Sequence, residues 1–246
     1  EKLWNQSISK KFSCNLLQGI TGSGKTLTYL RWLKKILDDD ESQVMIMVPE
    51  INLTPQLESS VEQAFPGKKL VVMHSGITDR TRADNWEKAH SGKAQIILGT
   101  RMAVATSAPN LKAIVVDEEH DLSYKQQEGV RYSARDLAVW RGKKLNIPVV
   151  LASATPSLET WFHAQEKRYE TLILKERAAK NAKPPLIHIL DLKQEQKAGR
   201  KNEHGISEHL LNELHKNIEQ GRQSIIYINR RGYSPVLNCQ ACGWLS

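Results

Sequence analysis

The sequence predicts an α/β fold in which a parallel β-sheet carries helices on both faces and is followed by an incomplete second α/β unit. Three observations predict it. Short apolar runs alternate along the chain with longer segments of helical periodicity. The runs are continuously apolar, as expected of strands that are buried on both faces. A glycine-rich segment separates the first apolar run from the first helical segment, which is typical of a phosphate-binding turn.

The first unit is predicted to span residues 1–174. Its strands are predicted at residues 14–17, 44–48, 70–73, 95–98, 114–116 and 149–152. Helices are predicted between them at residues 25–37, 56–64, 79–90, 134–144 and 158–165. Strands that alternate with helices in this way form a doubly wound sheet, with ligands at the carboxyl ends of the strands.

The rest of the chain is predicted to form a linker and the beginning of a second unit. Residues 175–185 are charged and end in Pro184 and Pro185, which disfavour both a helix and a central strand. A second α/β unit is then predicted at residues 186–246, with strands at 186–190 and 224–228 and a helix at 207–219. These elements cannot cover both faces of a sheet, so we expect the natural protein to continue beyond Ser246.

Composition narrows the class of protein. The hydrophobic fraction of 40% and the charged fraction of 25% are those of a globular chain, and no apolar run approaches the roughly 20 residues of a membrane span. We therefore expect no membrane partner and, with no leader peptide, a cytoplasmic protein. Three cysteines disfavour a disulfide framework. The net charge of +8 permits a polyanionic partner without requiring one.

Residues 19–26 read GITGSGKT, the GxxxxGKT pattern, between a predicted strand and a predicted helix. In this pattern backbone N–H groups surround phosphate oxygens, Lys25 reaches the β and γ phosphates of ATP, and Thr26 offers a hydroxyl to Mg²⁺. A chance glycine-rich turn is the alternative, which the flanking elements disfavour. The predicted ATP-binding residues are Gly19, Thr21, Gly22, Ser23, Gly24, Lys25 and Thr26.

Carboxylates follow the predicted strand at 114–116. Asp117 is predicted to bind Mg²⁺, and Glu118 to orient and deprotonate the attacking water. Glu119 and His120 complete the run, and His120 is counted with the nucleotide site. By itself the cluster is equally consistent with an acidic surface loop. Lys25, Asp117 and Glu118 are the predicted catalytic residues because the glycine-rich motif lies upstream.

Ser153 and Thr155 end another apolar strand at the same edge of the predicted sheet. Their hydroxyl groups could sense the state of the γ-phosphate and so couple hydrolysis to movement. Taken alone, the tripeptide Ser-Ala-Thr is common at strand ends, and that plain interpretation stays open.

The order of these motifs resembles that of the superfamily-two helicases of the DEAH type, whose nucleotide-binding lobes are RecA-like P-loop domains. The segments that carry the resemblance are 19–26 (GITGSGKT), 48–56 (VPEINLTPQ), 99–101 (GTR), 117–120 (DEEH), 153–155 (SAT) and 229–233 (NRRGY). Residues 124–132 (YKQQEGVRY) and 134–136 (ARD) are similar to a segment of the PriA family of replication-restart helicases.

This resemblance implies ATP-driven 3′ to 5′ unwinding of DNA at stalled replication forks and reloading of the replicative helicase. It implies single-stranded and forked DNA, primosome proteins and single-strand-binding proteins as partners. Side chains suited to phosphate contacts are Thr54, Gln56, Thr100 and Arg101, with Arg230 and Arg231 later in the chain. Thr and Gln in loops also commonly cap helices, as Thr54 before Pro55 could.

The segment 124–135 combines aromatic and cationic side chains that could stack on bases and hold phosphates. They are Tyr124, Lys125, Tyr132 and Arg135. Because this segment follows the catalytic acid, it could signal the arrival of DNA to the hydrolytic site. A charged surface loop with one buried tyrosine is the alternative.

Cys239 and Cys242 form a CxxC that supplies two of the four ligands of a structural zinc site. The resemblance implies further cysteine pairs downstream, so Zn²⁺ is expected in the full-length protein. Two other functions stay open from the residues alone: a nucleotide-gated nucleic-acid-binding module that unwinds nothing, and an RNA helicase.

Overall fold

The structure is a computed structural model that describes residues 11–49, 55–179, 185–197, 199, 202–203, 206–227 and 242. The chain divides into two compact units, residues 1–182 and 183–246. The predicted linker at 175–185 stays a prediction, because residues 180–184 lie outside the described residues.

The first unit contains a seven-stranded sheet in the order β3-β4-β2-β5-β6-β1-β7, and all its paired strands are parallel. The strands are β1 (Cys14–Gly19), β2 (Gln43–Met47), β3 (Leu70–Met73), β4 (Ile96–Gly99), β5 (Leu111–Asp117), β6 (Val149–Ser153) and β7 (Glu170–Leu174). The helices are α1 (Lys25–Ile36), α2 (Pro55–Ala64), α3 (Asp79–His90), α4 (Ala134–Leu145) and α5 (Leu158–Gln165). Short 3₁₀ helices lie at Arg101–Ala105 and Leu122–Tyr124.

Both faces of this sheet are buried. Along β2, Met45 and Met47 belong to one apolar cluster, while Val44 and Ile46 belong to the other. Side chains of α1 and α2 complete the second cluster, and side chains of α3 and α4 complete the first. The predicted parallel sheet with helices on both faces is therefore confirmed.

Two kinds of helix start are seen among the described residues of the first unit. Thr78, Ser133 and Ser157 each precede a helix and accept a hydrogen bond from a backbone N–H of its first turn, as N-caps do. Helix α1 instead begins after Gly24, which has a left-handed φ of 83° and supplies no side-chain cap. Backbone N–H groups at the start of α1 are thus left for another acceptor.

Strand β7 was missed by the sequence prediction. It pairs with β1 at the edge of the sheet, and its residues are exposed or half-buried. Its apolar run covers only residues 172–174 and leads directly into the charged segment that was predicted to be a linker, so the sequence signal for a strand is weak.

The second unit contains α6 (Leu192–Lys197), a two-stranded antiparallel ribbon of β8 (Asn202–Glu203) and β9 (Ile206–Ser207), and α7 (Glu208–Glu219). The predicted helix at 207–219 is confirmed by α7. The predicted strands at 186–190 and 224–228 are wrong where the structure describes them, because residues 186–190 and 224–227 form no strand. Residue 228 lies outside the described residues. No helix among the described residues is long and apolar enough to cross a membrane.

Candidate active site

Three loops meet at the carboxyl edge of the sheet. Strand β6 lies between β5 and β1 in parallel register, so the segments that follow these three strands are neighbours. They contain the glycine-rich turn after β1, the acidic run after β5, and Ser153 with Thr155 after β6. The structure thus brings together the predicted nucleotide-site residues from three distant parts of the sequence.

The glycine-rich turn has the backbone of a phosphate cradle. Gly22 and Gly24 adopt left-handed φ values of 79° and 83°, which favour glycine. At Gly19, a Cβ atom would lie 2.4 Å from Ser23 Oγ, so a larger residue would displace that hydroxyl. Ser23 Oγ is buried and makes no hydrogen bond within the described part of the chain. The turn therefore offers an unpaired hydroxyl beside the uncapped start of α1, and this arrangement fits the phosphates of a nucleotide. Thr21 and Thr26 are exposed on either side of it.

Lys25 is a buried cation that points back into this turn. Only 7% of the residue is exposed. Its Nζ donates to the Gly19 carbonyl oxygen at 3.0 Å and lies 3.9 Å from Glu118 Oε1. The ammonium group is thus held between the turn after β1 and the acid after β5. A phosphate group placed here would face a desolvated positive charge, which strengthens the attraction.

Asp117 is held by three donors. The Tyr29 hydroxyl donates to Asp117 Oδ2 at 2.9 Å, the Glu118 backbone N–H donates to Oδ1 at 3.0 Å, and the Tyr124 hydroxyl donates to the Asp117 carbonyl oxygen at 2.7 Å. Burial raises the pKa of the Asp117 carboxyl, the bond from Tyr29 lowers it, and the charge of Glu118 raises it further. A half-buried carboxylate in this position suits a bound divalent cation, which would relieve its partial desolvation.

Glu118 has an unusual backbone. Its φ of +44° lies in the left-handed region, which is uncommon for a residue other than glycine, asparagine or aspartate. Its carboxylate lies between Lys25 and His120, with Oε2 3.6 Å from His120 Nδ1. His120 Nδ1 also lies 2.8 Å from Ser153 Oγ, which accepts a hydrogen bond from the Thr155 backbone N–H at 3.0 Å. Side chains of the acidic run and of the third loop are therefore in direct contact.

Comparison with known proteins agrees with this arrangement. Residues 3–161 match the family model described as DEAD/DEAH box helicase. This chain belongs to the DEAD/DEAH box helicase family. It is 44% identical over 236 residues to the replication restart protein PriA of Haemophilus influenzae, and 39% identical over 230 residues to that of Bacillus subtilis. These matches cover 96% and 94% of this chain but only 31% and 28% of the relatives, so the chain spans about a third of their length.

One solved structure supports the helicase fold. RecG, in a structure described as bound to a three-way DNA junction, superposes with a TM-score of 0.53 at 22% sequence identity. The match covers 74% of this chain and 23% of the RecG chain. At this identity the likeness concerns the fold alone. It agrees with the predicted RecA-like P-loop domain.

Glu119 is the centre of a buried polar network that the sequence interpretation missed. Its carboxylate accepts hydrogen bonds from the Ser157 backbone N–H at 2.8 Å, from Ser157 Oγ at 3.0 Å and from Thr160 Oγ1 at 2.8 Å. Arg135 Nη1 donates to it at 3.3 Å. Three of these four donors belong to Ser157 and Thr160 at the start of α5, so Glu119 ties the acidic run to the helix that follows Ser153 and Thr155.

Arg135 and Tyr124 correct the prediction of nucleic-acid contacts. Arg135 is 5% exposed, and its guanidinium is engaged by Glu119, by Asp136 Oδ1 at 2.8 Å and by Ser157 Oγ at 2.6 Å. Tyr124 is 1% exposed. Neither can reach a phosphate or a base in this structure, because packing and buried hydrogen bonds use the groups that would bind. The alternative of a charged loop with one buried tyrosine describes Tyr124 better.

The remaining loop residues stay accessible. The segment after Tyr124 closes on itself through a bridge between Lys125 and Ser133 and a hydrogen bond from the Gln126 N–H to the Tyr132 carbonyl at 2.8 Å. Lys125 is exposed, and its Nζ lies 3.5 Å from Glu159 Oε1. Tyr132 is half-buried and lines a groove of about 440 Å³ together with Trp86. Lys125 and Tyr132 therefore keep their predicted role in nucleic-acid binding as a proposal.

Thr100 and Arg101 lie where β4 ends. Thr100 is 3% exposed, which leaves little of its side chain for an outside partner. Arg101 is half-buried, and its Nη1 donates to the carbonyl oxygens of Ser123 at 3.1 Å and Lys125 at 3.4 Å. The predicted contact of Thr100 thus lacks an accessible hydroxyl, while Arg101 holds the backbone on both sides of Tyr124.

Several predicted residues lie outside the described side chains. Thr54, Arg230, Arg231 and Cys239 lie outside the described residues, and Gln56 is placed only as part of the α2 backbone. Cys242 is exposed with a free thiol. Among the described residues, no group of three or more His, Cys, Asp or Glu side chains could hold a metal ion. The zinc site of the full-length protein stays a prediction.

Tyr29 was also missed by sequence interpretation, although a signal was present. It lies four residues after Lys25, so both side chains occupy the same face of α1. Burial, followed by the charge of Asp117, raises the pKa of its phenol well above the ordinary value. Tyr29 is therefore a protonated donor within the active site.

Proposed function

We propose that this chain carries the nucleotide-binding half of an ATP-dependent DNA helicase that acts in replication restart. The observation that carries the proposal is the meeting of Lys25, Asp117 and Glu118 at one edge of the sheet. Lys25 Nζ lies 3.9 Å from Glu118 Oε1, beside a turn whose backbone suits phosphate. The names of the relatives support the assignment to replication restart.

The proposed chemistry is hydrolysis of the γ-phosphate of ATP. Backbone N–H groups at Gly22 and Gly24 and the Lys25 ammonium would bind the phosphates, and Thr26 with Asp117 would hold Mg²⁺. When bound, Mg²⁺ neutralises negative charge on the β and γ phosphates. Glu118 would orient the attacking water and accept its proton. His120, which contacts both Glu118 and Ser153, would hold the carboxylate in place.

Coupling to DNA is proposed to pass through Arg101. Its guanidinium donates to the carbonyl oxygens of Ser123 and Lys125, which flank Tyr124. The Tyr124 hydroxyl in turn donates to the Asp117 carbonyl oxygen. A DNA phosphate that drew Arg101 away would free the backbone on both sides of Tyr124, next to the proposed Mg²⁺ ligand. Ser153 and Thr155 would report the γ-phosphate state from the other side of Glu118.

Finer parts of the function rest on the resemblance to the PriA family. They are 3′ to 5′ polarity, forked DNA as substrate, primosome and single-strand-binding proteins as partners, Zn²⁺ in the full-length protein and a cytoplasmic location. Each is part of the proposal and is open to its own test.

Strand displacement by the full-length protein is the deciding experiment. We expect unwinding of a forked DNA duplex that requires ATP and Mg²⁺, and its loss in Glu118→Gln. Glu87→Gln, on the exposed surface of α3, makes the same chemical change away from the site and should behave as wild type. ATP-dependent binding without strand displacement would instead support a gating module. Unwinding of an RNA duplex in preference to DNA would support an RNA helicase.

A further inference from the structure

Tyr29 lies in the core of the first unit, one helical turn after Lys25 on α1. It is 1% exposed and packs in the apolar cluster between α1 and the sheet. A phenylalanine would fill nearly the same space, so packing alone does not explain the hydroxyl group. A buried tyrosine hydroxyl is stable only with a partner, and its partner here is the Asp117 carboxylate.

The Tyr29 hydroxyl is bonded to a carboxylate of the proposed nucleotide site. It donates to Asp117 Oδ2 at 2.9 Å. Thr26 and Asp117 are the two protein groups that we assign to Mg²⁺.

The second Asp117 oxygen is also fixed. Oδ1 accepts the Glu118 backbone N–H at 3.0 Å, so both oxygens have one donor each. A carboxylate has about four lone-pair sites, and the two that remain can face an ion. We propose that Tyr29 is a positioning residue for Mg²⁺, because its hydroxyl orients the Asp117 carboxylate toward the ion. This inference rests on the proposed ATP site.

Tyr124 provides a matched comparison. It is also 1% exposed, and its hydroxyl also donates to Asp117, but to the backbone carbonyl oxygen at 2.7 Å. Tyr124→Phe therefore also removes a hydroxyl that donates to Asp117, but this hydroxyl does not contact the carboxylate. If Tyr29 acts on the carboxylate, the two substitutions differ in their effect on Mg²⁺.

The experiment measures nucleotide binding by the full-length protein. A fluorescent, non-hydrolysable ATP analogue is titrated in EDTA and at a series of Mg²⁺ concentrations. In Tyr29→Phe we expect the Mg²⁺ concentration for half-maximal binding to rise about tenfold, the scale of one hydrogen bond to a charged group. Affinity in EDTA should stay within about twofold of wild type. Tyr124→Phe should leave the Mg²⁺ dependence within about twofold.

A double-mutant cycle sharpens the test. In an Asp117→Asn background the substitution Tyr29→Phe should change the Mg²⁺ dependence no further, because the carboxylate that it orients is gone. Replacing Tyr29 with p-aminophenylalanine keeps a donor at the same position and should restore most of the wild-type dependence. Because it retains a polar group, this variant also tests the role if Tyr29→Phe does not fold.

Three results would overturn the inference. One is an unchanged Mg²⁺ dependence in Tyr29→Phe together with a lower melting temperature, which would make Tyr29 a packing residue only. Another is an equal shift in Tyr124→Phe. A wild-type protein that binds the analogue equally with and without Mg²⁺ would overturn the assignment of Mg²⁺ to this site, and with it the proposed function.

Discussion

Similar apolar runs form buried strands in the first unit of the chain but stay exposed, without strand structure, in the second. In the first unit, residues such as Val115 and Leu151 lie in strands with neighbours on both sides and are fully buried. In the second unit, the run at 186–190 is just as apolar but forms no strand, and Ile187 and Ile189 are 81% and 92% exposed. Residues 224–227 behave in the same way.

The difference shows which elements form from signals in their own sequence and which need tertiary partners. Helix α7 forms in the second unit because its own sequence supplies the cap, with Ser207 Oγ accepting the Leu210 N–H at 3.2 Å. A strand needs a partner strand and a surface to pack against, whatever its own sequence. The first unit supplies both. The chain spans only about a third of its relatives' length, 31% of the Haemophilus influenzae protein.

The largest effect is expected at the buried network of the first unit. Glu119→Leu removes four hydrogen bonds and leaves the buried donors of Ser157, Thr160 and Arg135 without this acceptor, so the free energy of unfolding should fall by about 3–5 kcal/mol. Urea unfolding, followed by a signal from the first unit, measures it. Glu159→Leu removes the more exposed carboxylate, 3.9 Å from Arg135, and should cost less than about 1 kcal/mol. Equal losses in both variants would show that the network adds nothing beyond surface charge.

A core substitution tests whether the first unit is as tightly packed as its burial suggests. Leu33 on α1 is 0% exposed, and Leu33→Ala should lower the free energy of unfolding by about 3 kcal/mol through lost burial and a cavity. The measurement is again urea unfolding. A loss below about 1 kcal/mol would mean that the first unit is no better packed there than the exposed runs of the second.

Substitution of Glu118 is expected to lower the rate of catalysis while leaving the stability of the fold nearly unchanged. Glu118→Gln should lower ATP turnover by roughly 10² or more, because the acceptor of the water proton is lost. Nucleotide affinity should persist, and the free energy of unfolding should change by less than about 1 kcal/mol, since the side chain is only half-buried. Steady-state ATPase assays on the full-length protein decide the point. Wild-type turnover would assign the role to another residue.

The smallest effect is expected in the second unit. Ile189→Ala should change the free energy of unfolding of the 246-residue chain by less than about 0.5 kcal/mol, because the side chain is 92% exposed. A loss of stability comparable with that of Leu33→Ala would contradict the contrast between the two units, since it would mean that this run is packed.

The sequence patterns predicted the strands of the first unit better than those of the second. They also predicted the motif residues better than the residues around them. The GxxxxGKT pattern and the acids after a buried run predicted that Lys25 and Asp117 meet, because parallel strands end at one edge. The pattern could not show that Tyr124 and Arg135 are buried. Aromatic and cationic residues in a loop look alike whether they face DNA or a buried carboxylate. Only the tertiary contacts, of Arg135 with Glu119 and of Tyr124 with Asp117, distinguish the two.

Nucleotide binding by the isolated first unit tests the central claim most directly. Residues 1–182 contain all the side chains that we assign to ATP. In titrations with a fluorescent ATP analogue and Mg²⁺, this unit should bind within about threefold of the 246-residue chain. Lys25→Ala should weaken binding by roughly tenfold or more in both, the scale of a lost charged hydrogen bond. Binding by the longer chain alone, or equal affinity in Lys25→Ala, would contradict the account.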